Sequence, residues 1–304
     1  MSVRPGAKGC AGVGVPDGYG DCMTADPSPQ SAVARHYARP DLAEAILSAL
    51  RQAGVDVDRL RPDDLAGMDE LHMRGRQATV ELAGKLELGP DTRVLDVGSG
   101  IGGPSRYLAS VHGCHVTGLD LTEEYCRAST VLAERTGLGG RLRYVRGDAL
   151  DMPFPDAAFD VVWTQHAAMN IPRKERLYAE MARVVRSGGR LALDDLVAGP
   201  AGPPHYPLPW ADDPSTSFLV GVDALRDTLE RSGFAPLQWR EQSEAGLAWF
   251  REMASRSRDG AERPPLGPQI LFGDGFLPRL ANLARSLEEG RLALLQTVCR
   301  RVDE

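Results

Sequence analysis

The stretch VLDVGSGIGGPSRYLAS, residues 94–110, joins a short apolar run to a glycine-dense turn and then to a segment compatible with a helix. Gly98, Gly100 and Gly103 satisfy the spacing G-x-G-x-x-G. In a strand–turn–helix unit, glycines at these positions let the backbone approach a bound nucleotide closely. The stretch therefore predicts the ligand-binding edge of an α/β sheet, and it leaves open which nucleotide-like cofactor binds there.

The chain after this turn alternates between short apolar runs and amphipathic stretches. We expect strands near residues 93–97, 114–119, 141–146, 159–164, 190–197, 234–241 and 292–298. We expect helices near residues 103–112, 122–136, 173–185 and 222–232. Because helices connect successive strands, the sheet should be mainly parallel and covered on both faces.

The residues before this core predict a tail and two helices. Residues 1–30 are rich in glycine and proline and poor in large apolar side chains, so a flexible tail is expected. Residues 31–88 predict one helix from Ala34, interrupted at Pro40, and a second that Asp64 caps. The apolar face of this second helix is expected to contain Leu71, Ala78, Leu82 and Leu86.

The residues after the fifth strand predict additions to a domain that spans residues 89–304. Residues 199–214 carry six prolines, which exclude a helix or an inner strand. Residues 243–290 predict an inserted pair of helices around a proline-rich loop.

Composition limits the classes of partner. The chain has 304 residues, 42% of them hydrophobic, and a formal net charge of −7. An acidic chain is poorly suited to the phosphate backbone of nucleic acids. No run approaches the roughly 18 apolar residues of a membrane span. Five scattered cysteines and the lack of a signal-peptide core predict a reduced cytoplasmic protein. We also expect a monomer or homodimer whose partner is a small-molecule acceptor.

Acidic residues at three strand ends narrow the choice of cofactor. Asp96 precedes the glycine turn by two residues, where a carboxylate suits a ligand with an ammonium or sulfonium better than a pyrophosphate. Asp120 ends the second strand and can accept both hydroxyl protons of a ribose. Asp148 follows the third strand, where it can accept from an adenine amine while the next backbone amide reaches a ring nitrogen.

The ordered motif set resembles class I S-adenosylmethionine (SAM)-dependent methyltransferases over roughly residues 65–240. The matching segments are Asp96–Gly100, Asp120, Gly147–Ala149, Phe159–Val162 and Ser187–Leu191. The set is most similar to the small-molecule branch that includes sarcosine/dimethylglycine and tocopherol methyltransferases. The segments DELHMRGRQAT (69–79) and TQHAAMNIPRKERLY (164–178) resemble bacterial natural-product methyltransferases, among them indole C3-methyltransferases.

The resemblance implies a Rossmann-like, seven-stranded α/β fold. Its sheet is mostly parallel with an antiparallel last strand, and residues 31–88 form a helical lid. It also implies SAM as cofactor and S-adenosylhomocysteine as product. The residues expected around the cofactor are Asp96, Gly98 and Gly100 at the methionine and ribose, Asp120 and Leu121 at the ribose and adenine, Asp148 and Ala149 at the adenine edge, Gln165 at the methionine, and Arg74 or Arg76 at its carboxylate.

Methyl transfer from a sulfonium requires alignment and exclusion of water, and it requires a base only if the acceptor loses a proton. His166, at the carboxyl end of the fourth strand, is the first candidate for that base. Asp195, at the end of the fifth strand, aligns with an acidic active-site position of sugar methyltransferase relatives, and Tyr37 is a third candidate. The acceptor-binding candidates are His72, His166, Met169, Asn170, Tyr206 and Trp210. The sequence contains no recognisable metal motif, so no metal is expected.

The predicted acceptor is a heteroaromatic (indole-type) or amine-containing natural product. N-methylation of a glycine- or sarcosine-like amine is the alternative, although the carboxylate of that substrate would need a dedicated arginine. A second alternative is a protein that keeps SAM structurally while its cavity templates a cyclisation.

Overall fold

The computed structural model describes Tyr37, Arg39, residues 41–258, Gly267 and residues 275–303. The predicted tail at residues 1–30 and the proline-rich loop of the predicted insertion lie outside these residues, apart from Gly267. Within the described parts of the chain, no helix combines the length and the apolarity that a membrane crossing needs.

Seven strands form one sheet in the order β3-β2-β1-β4-β5-β7-β6. The strands are β1 (Arg93–Val97), β2 (His115–Asp120), β3 (Leu142–Arg146), β4 (Phe159–Gln165), β5 (Val185–Ala198), β6 (Phe234–Glu241) and β7 (Leu292–Arg301). Strands β1 to β5 pair in parallel, whereas β7 runs antiparallel to β5 and β6. The predicted Rossmann-like methyltransferase topology is therefore confirmed.

Nine helices are described around this sheet. They are α1 (Leu42–Gln52), α2 (Pro62–Leu65), α3 (Arg76–Ala83), α4 (Gly103–His112), α5 (Glu123–Arg135), α6 (Lys174–Val184), α7 (Val222–Arg231), α8 (Ser243–Arg258) and α9 (Phe276–Glu288). The predicted strands and helices between residues 93 and 241 agree with these bounds to within a residue or two, except at β5, which begins five residues earlier than expected.

Both faces of the sheet are buried, as the crossover connections require. Val94 and Leu95 are neighbours on β1 and point to opposite faces, because side chains alternate along a strand. Val94 packs with Trp163 and with α3 and α4, whereas Leu95 packs with Val162 and with α6 and α7. The carboxyl ends of β1 to β4 therefore meet at one edge between two layers of helices, and this edge carries the predicted site.

The predicted second N-terminal helix is wrong over most of its length. The structure instead has the single turn α2, an irregular segment through Gly75, and α3. Arg74 and Gly75 have φ angles of 66° and 48°, which a right-handed helix cannot contain. Leu71 and Leu86 therefore lie outside any helix.

Asp64 is not the N-cap of α2. Arg61 occupies that position and Pro62 begins the helix, because the fixed φ of proline suits a first helical turn. The Asp64 carboxylate accepts a hydrogen bond from the backbone N–H of Arg61 at 2.8 Å from within the first turn. The described part of the first predicted helix runs from Leu42, and Ala34 and Pro40 lie outside the described residues.

Candidate cofactor and acceptor site

The glycine turn after β1 depends on conformations and close contacts that favour glycine. Gly98, Gly100 and Gly102 have φ angles of 75°, 53° and 82°, in the left-handed region. A Cβ atom at Gly98 would overlap the Cβ of Ala167, just beyond β4. The backbone N–H of Gly98 also donates to the carbonyl of Leu119 on β2 at 2.8 Å. The turn is thus held between the ends of β2 and β4.

Asp120, at the carboxyl end of β2, is oriented by two backbone amides. Its Oδ2 accepts from the N–H of Gly100 at 2.9 Å, and its Oδ1 accepts from the N–H of Thr122 at 2.8 Å. Burial raises the pKa of this carboxyl to about 6, partly offset by these hydrogen bonds, so it is ionised at neutral pH. Each oxygen keeps a second lone pair, which fits a ribose with two adjacent hydroxyl groups.

Asp148 lies beside Asp120 because Gly147 donates its backbone N–H to the Asp120 carbonyl at 2.9 Å. The Asp148 Oδ1 accepts from the N–H of Leu150 at 2.8 Å, which fixes the carboxylate in an Asx turn. Leu121, Asp148 and Ala149 are all half-buried. The structure therefore brings together the residues predicted to hold ribose and adenine, and their contacts with a ligand stay predictions.

Asp96 is buried within the sheet. The Ser105 hydroxyl on α4 donates to its Oδ2 at 2.6 Å. Burial raises the pKa of Asp96 to about 7, and the Ser105 hydrogen bond opposes that rise. Asp96 thus braces the helix that follows the glycine turn, and its predicted contact with the cofactor stays a prediction.

Several buried hydrogen-bond donors of the glycine turn, the lid and β4 lack a partner in the described residues, among them Ser99 Oγ, Arg74 Nη1 and Gln165 Nε2. Arg74 donates through Nη2 to the Glu81 Oε1, whereas its Nη1 has no partner among the described residues. Gln165, at the end of β4, accepts through Oε1 but its Nε2 also lacks one. An unpaired buried donor is costly unless a ligand or water satisfies it. A carboxylate such as that of SAM would accept from both, so this donor set fits the predicted cofactor.

Arg76, the other predicted partner of that carboxylate, is turned to different neighbours. It donates to the carboxylates of Glu70 and Asp63, and its guanidinium lies 5.3 Å from the centre of the Tyr107 ring. Arg76 Nη2 is also buried without a partner in the described residues, so the structure favours Arg74 for the carboxylate only because two carboxylates hold Arg76 and one holds Arg74.

His166 directly follows β4 and has a φ of 50°, which is unusual for a residue with a side chain. Its side chain is 6% exposed, and its Nε2 lies 3.8 Å from the Asp194 Oδ1 with no hydrogen-bond partner in the described part of the chain. Burial lowers its pKa well below the ordinary value, helped by nearby His72, so the imidazole is neutral at pH 7.

His72 lies beside His166, with ring centres 5.9 Å apart in an edge-to-face arrangement. Its Nε2 is 3.1 Å from the Thr79 hydroxyl, and burial lowers its pKa to about 3. The sequence placed His72 on a helix, whereas the structure places it in the irregular segment before α3.

Asp195 does not lie at the end of β5, because pairing with β7 extends that strand to Ala198. Its Oδ2 accepts from the N–H of Ala168, and its Oδ1 accepts from the N–H of Leu196, each at 2.9 Å. Burial raises its pKa to about 7, although the Lys174 ammonium opposes this. The carboxylate thus holds the single turn at Ala168–Asn170 in place.

Three acceptor-side candidates meet beyond this turn. The Tyr37 hydroxyl donates to the Asn170 Oδ1 at 3.1 Å. The Asn170 Nδ2 donates to the carbonyls of Trp210 at 3.1 Å and Thr216 at 2.9 Å. The Trp210 Nε1 donates to the Ser217 hydroxyl at 3.0 Å. These hydrogen bonds join the N-terminal region, the turn after β4 and the proline-rich segment.

Apolar side chains from several parts of the chain pack around these residues, and we call the group the acceptor-side cluster. Its buried members are Met73, Met169, Leu196, Leu208, Trp210, Ala211, Leu283, Leu287, Leu292 and Leu294, and its half-buried members are Tyr37, Tyr206, Leu219, Leu247, Phe250 and Leu280. Met169, Tyr206 and Trp210, which the sequence indicated, are thus brought together, whereas the contributions of α8, α9 and β7 were not predicted.

The proline-rich segment is fastened to α9. The Arg279 Nη1 donates to the Leu208 carbonyl at 2.8 Å, and the Asn282 Nδ2 donates to the Pro207 carbonyl at 3.0 Å. Farther along the helix, the backbone N–H of His205 donates to the Ser286 hydroxyl at 2.9 Å. Polar side chains of α9 therefore fix the wall that carries Tyr206 and Trp210.

Sequence reasoning missed a buried polar layer between the lid and the glycine turn. The Arg106 Nη2 and the Asp69 Oδ2 lie 2.8 Å apart, and both side chains are fully buried. Nearby, the Thr79 hydroxyl on α3 lies 2.8 Å from Glu70 Oε2 and 3.2 Å from Gln165 Oε1. The available signal was Thr79, a polar residue at helical spacing with Leu82 and Ala83 on the buried face of α3.

Two further observations concern metals and thiols. Among the residues that the structure describes, no three histidine, cysteine or acidic side chains converge to hold a metal ion. Cys114, Cys126 and Cys299 are buried and free.

Comparison with known proteins agrees with this geometry. A family model described as a methyltransferase domain matches residues 95–193. The methyltransferase GfsG of Streptomyces halstedii is 33% identical over 222 residues, which cover 72% of this chain and 74% of that protein. The glycine/sarcosine/dimethylglycine N-methyltransferase of Actinopolyspora halophila is 30% identical over 176 residues, or 58% of this chain and 31% of that protein. The chain thus spans about three tenths of the length of the first curated relatives it matches.

Among solved structures, geranyl diphosphate C-methyltransferase of Streptomyces coelicolor A3(2), in complex with Mg²⁺, geranyl diphosphate and S-adenosyl-L-homocysteine, superposes with a TM-score of 0.67. The superposition covers 91% of this chain and 98% of that one at 16% identity, so it shows the shared fold. Together with the match to most of GfsG, these findings show that the chain belongs to the class I SAM-dependent methyltransferases.

Proposed function

We propose that the protein transfers the methyl group of SAM to a largely apolar small molecule without a carboxylate, of the heteroaromatic (indole-type) or amine natural-product class. The observation that carries this proposal is the path of residues 165–170. Gln165 has an unpaired buried donor and lies two residues before Ala167, which contacts the glycine turn, whereas Met169 and Asn170 lie with the acceptor-side cluster. One short segment thus borders a polar site and an apolar one.

On the cofactor side, the chain's own groups bind and orient. Asp120 accepts from the ribose hydroxyl groups, Asp148 and the Ala149 amide contact the adenine edge, and Arg74 and Gln165 donate to the carboxylate. When bound, SAM supplies a methyl group on a sulfonium, whose leaving group is a neutral thioether. The protein therefore needs to align the acceptor with that methyl group and to exclude water.

His166 is the proton acceptor in this proposal. The Tyr37 hydroxyl donates to Asn170 and its pKa is raised by burial and by nearby carboxylates, and both Asp195 oxygens accept from backbone amides. The neutral His166 Nε2 is unpaired, and Asp194 lies close enough to stabilise the imidazolium that proton transfer would form. A pKa well below the ordinary value keeps His166 neutral but makes it a weak base, so in this proposal the proton leaves the acceptor together with methyl transfer, which makes the acceptor more acidic.

The charges around the acceptor-side cluster favour an acceptor without a carboxylate. A glycine-like amine would need a cation for its own carboxylate. The Arg279 guanidinium is bonded to the Leu208 carbonyl and to Asp212, and the Lys174 ammonium to the carbonyls of Ala168 and Ile171. These two cations are thus committed within the fold. The name of the Actinopolyspora relative keeps glycine and sarcosine as the alternative acceptors.

The test is incubation of the protein with methyl-labelled SAM and three acceptor sets: indoles, apolar amines, and glycine with sarcosine. We expect label in an indole or apolar amine, with one S-adenosylhomocysteine per methyl group. Label in glycine or sarcosine alone would establish the alternative. Conversion of an acceptor without release of S-adenosylhomocysteine would instead indicate a templating protein.

A further inference from the structure

The Gln165 side chain joins the buried layer under the lid to the end of β4 through its amide oxygen. That Oε1 accepts from the Trp163 Nε1 at 3.0 Å and lies 3.2 Å from the Thr79 hydroxyl. The Gln165 Nε2 of the same amide is buried without a partner in the described residues. The amide oxygen thus has partners, whereas the amide nitrogen has none among the described residues.

Trp163 fixes which end is held. An indole nitrogen only donates, so it cannot face the NH₂ group of an amide. The Trp163 ring is fully buried within the sheet, so it cannot turn away. A flipped Gln165 amide would set two donors against each other, and the flip is therefore excluded.

Thr79 supplies a second constraint from the lid side. Its hydroxyl has a single proton to donate, and the possible acceptors are Gln165 Oε1 at 3.2 Å, Glu70 Oε2 at 2.8 Å and His72 Nε2 at 3.1 Å. It is fully buried on α3, so its position is fixed by the lid helix itself. Docking of α3 against β4 therefore adds a second constraint on the Gln165 amide, beside the one that Trp163 supplies.

Arg74 Nη1 is a second buried donor without a partner in the described residues. Gln165 is the cross-strand partner of Asp194, and the Arg74 guanidinium acts from a greater distance to lower the pKa of Asp194. The Asp194 Oδ1 is also buried without a partner among the described residues. Two donors and a carboxylate oxygen complement an α-amino-acid group, whose carboxylate accepts and whose ammonium donates.

We propose that Trp163 and Thr79 are positioning residues that hold the Gln165 amide so that its NH₂ group, together with Arg74, selects the amino-acid end of the cofactor. The inference rests on the proposed function, because it takes the cofactor to be SAM. It adds that the docking of α3 affects the affinity for the amino-acid group of the cofactor and does not affect the affinity for its adenosine.

Two ligands separate these contributions. S-adenosylhomocysteine carries the amino-acid group, whereas 5′-methylthioadenosine keeps the adenosine and the thioether but lacks that group. Calorimetry with the full-length protein gives both dissociation constants. The wild-type protein should bind S-adenosylhomocysteine at least about tenfold more tightly, the value of one charge-assisted hydrogen bond.

Thr79→Val removes the hydroxyl at nearly constant volume. We expect it to weaken S-adenosylhomocysteine binding about 3- to 10-fold and to leave methylthioadenosine binding unchanged. Thr79→Ser should restore the wild-type ratio. Thr228→Val is the matched control, because this buried threonine on α7 donates to the Ala224 carbonyl away from the site.

Trp163→Phe tests the same amide from the other side, since it keeps an aromatic ring and removes the N–H. It should likewise lower only the affinity for S-adenosylhomocysteine. Equal losses for both ligands in Thr79→Val and Trp163→Phe, or no loss in either, would overturn the inference.

Failure of the proposed function has a different signature, because then the wild-type protein would bind neither ligand. Wild-type binding of both ligands with equal affinity would overturn the positioning role of Gln165 while leaving adenosine recognition in place.

Discussion

The carboxyl ends of β1 to β4, which we call the cofactor edge, and the acceptor-side cluster are held by different kinds of contact. At the cofactor edge, backbone amides orient the carboxylates: Asp120 is held by Gly100 and Thr122, and Asp148 by Leu150. The acceptor-side cluster is instead assembled from side chains of separate segments, tied by side chain–backbone hydrogen bonds such as that from Asn170 to Trp210. Cofactor recognition is thus carried by strand-end geometry, and acceptor choice by side chains that can change independently.

The largest expected effect lies where the two regions meet. His166→Asn should lower kcat by roughly 10²- to 10⁴-fold if His166 removes the acceptor proton, with little change in SAM affinity. His115→Asn, on the exposed part of β2, controls for loss of an imidazole. Near-normal turnover of the His166 variant would make it a wall residue and leave alignment alone as the source of catalysis.

Asp120→Ala should weaken cofactor binding without changing the packing of the acceptor-side cluster. We expect the binding of S-adenosylhomocysteine to weaken by about 1.5–3 kcal/mol, the scale for hydrogen bonds to a charged group. Calorimetry measures this change, and an unaltered melting temperature would show that the fold is intact. An unchanged dissociation constant would place the ribose contact elsewhere.

Asp96→Asn tests how the buried carboxylate at the cofactor edge affects the stability of the fold. The pKa of Asp96 is raised from 3.8 to about 7 by burial, so the native state binds its proton more tightly than the unfolded state. The stability that this carboxyl contributes is complete below about pH 4 and is lost as the pH rises through about 7. Asparagine does not ionise and can still accept from Ser105. The variant should therefore be about 1–3 kcal/mol more stable than wild type at pH 8, with a much smaller difference at pH 5.

Denaturant unfolding at the two pH values measures this difference. Asp91→Asn, in an exposed turn, is the matched control and should change stability little at either pH. A variant of Asp96 that is less stable than wild type at pH 8 would contradict the proposed cost of the buried carboxylate.

Tyr37→Phe should have the smallest effect and should confine it to the acceptor side. The substitution removes the hydrogen bond to Asn170 and keeps the aromatic ring. We expect KM for the acceptor to rise about 2- to 10-fold, the value of one neutral hydrogen bond, with the affinity for S-adenosylhomocysteine unchanged. A matching loss of cofactor affinity would show that the two regions are not separable.

The same two regions differ in how far the sequence determines them. The positions of Gly98, Asp120 and Asp148 follow from local sequence patterns, because each residue lies where a short apolar strand is followed by a turn. The lid is different, since the positive φ angles of Arg74 and Gly75 and the burial of Asp69 against Arg106, 37 residues away, override the helical periodicity.

The sequence did not predict the structural role of Asp195 either. Its carboxylate is engaged by the Ala168 amide, 27 residues earlier in the chain, and its place inside β5 is set by pairing with β7. Local patterns therefore predict elements and the residues at strand ends. They do not predict buried polar contacts between distant segments, which decide the lid and the acceptor side.

The most direct test of the central claim is calorimetric titration of the purified protein with S-adenosylhomocysteine and, separately, with NAD. The glycine turn, Asp120 and Asp148 would suit the adenosine of either ligand, whereas the donors of Arg74 and Gln165 are proposed to bind an amino-acid carboxylate that NAD lacks. We expect a dissociation constant on the order of micromolar for S-adenosylhomocysteine, about −8 kcal/mol, and no detectable heat with NAD. Comparable affinity for NAD, or no binding of S-adenosylhomocysteine, would contradict the account.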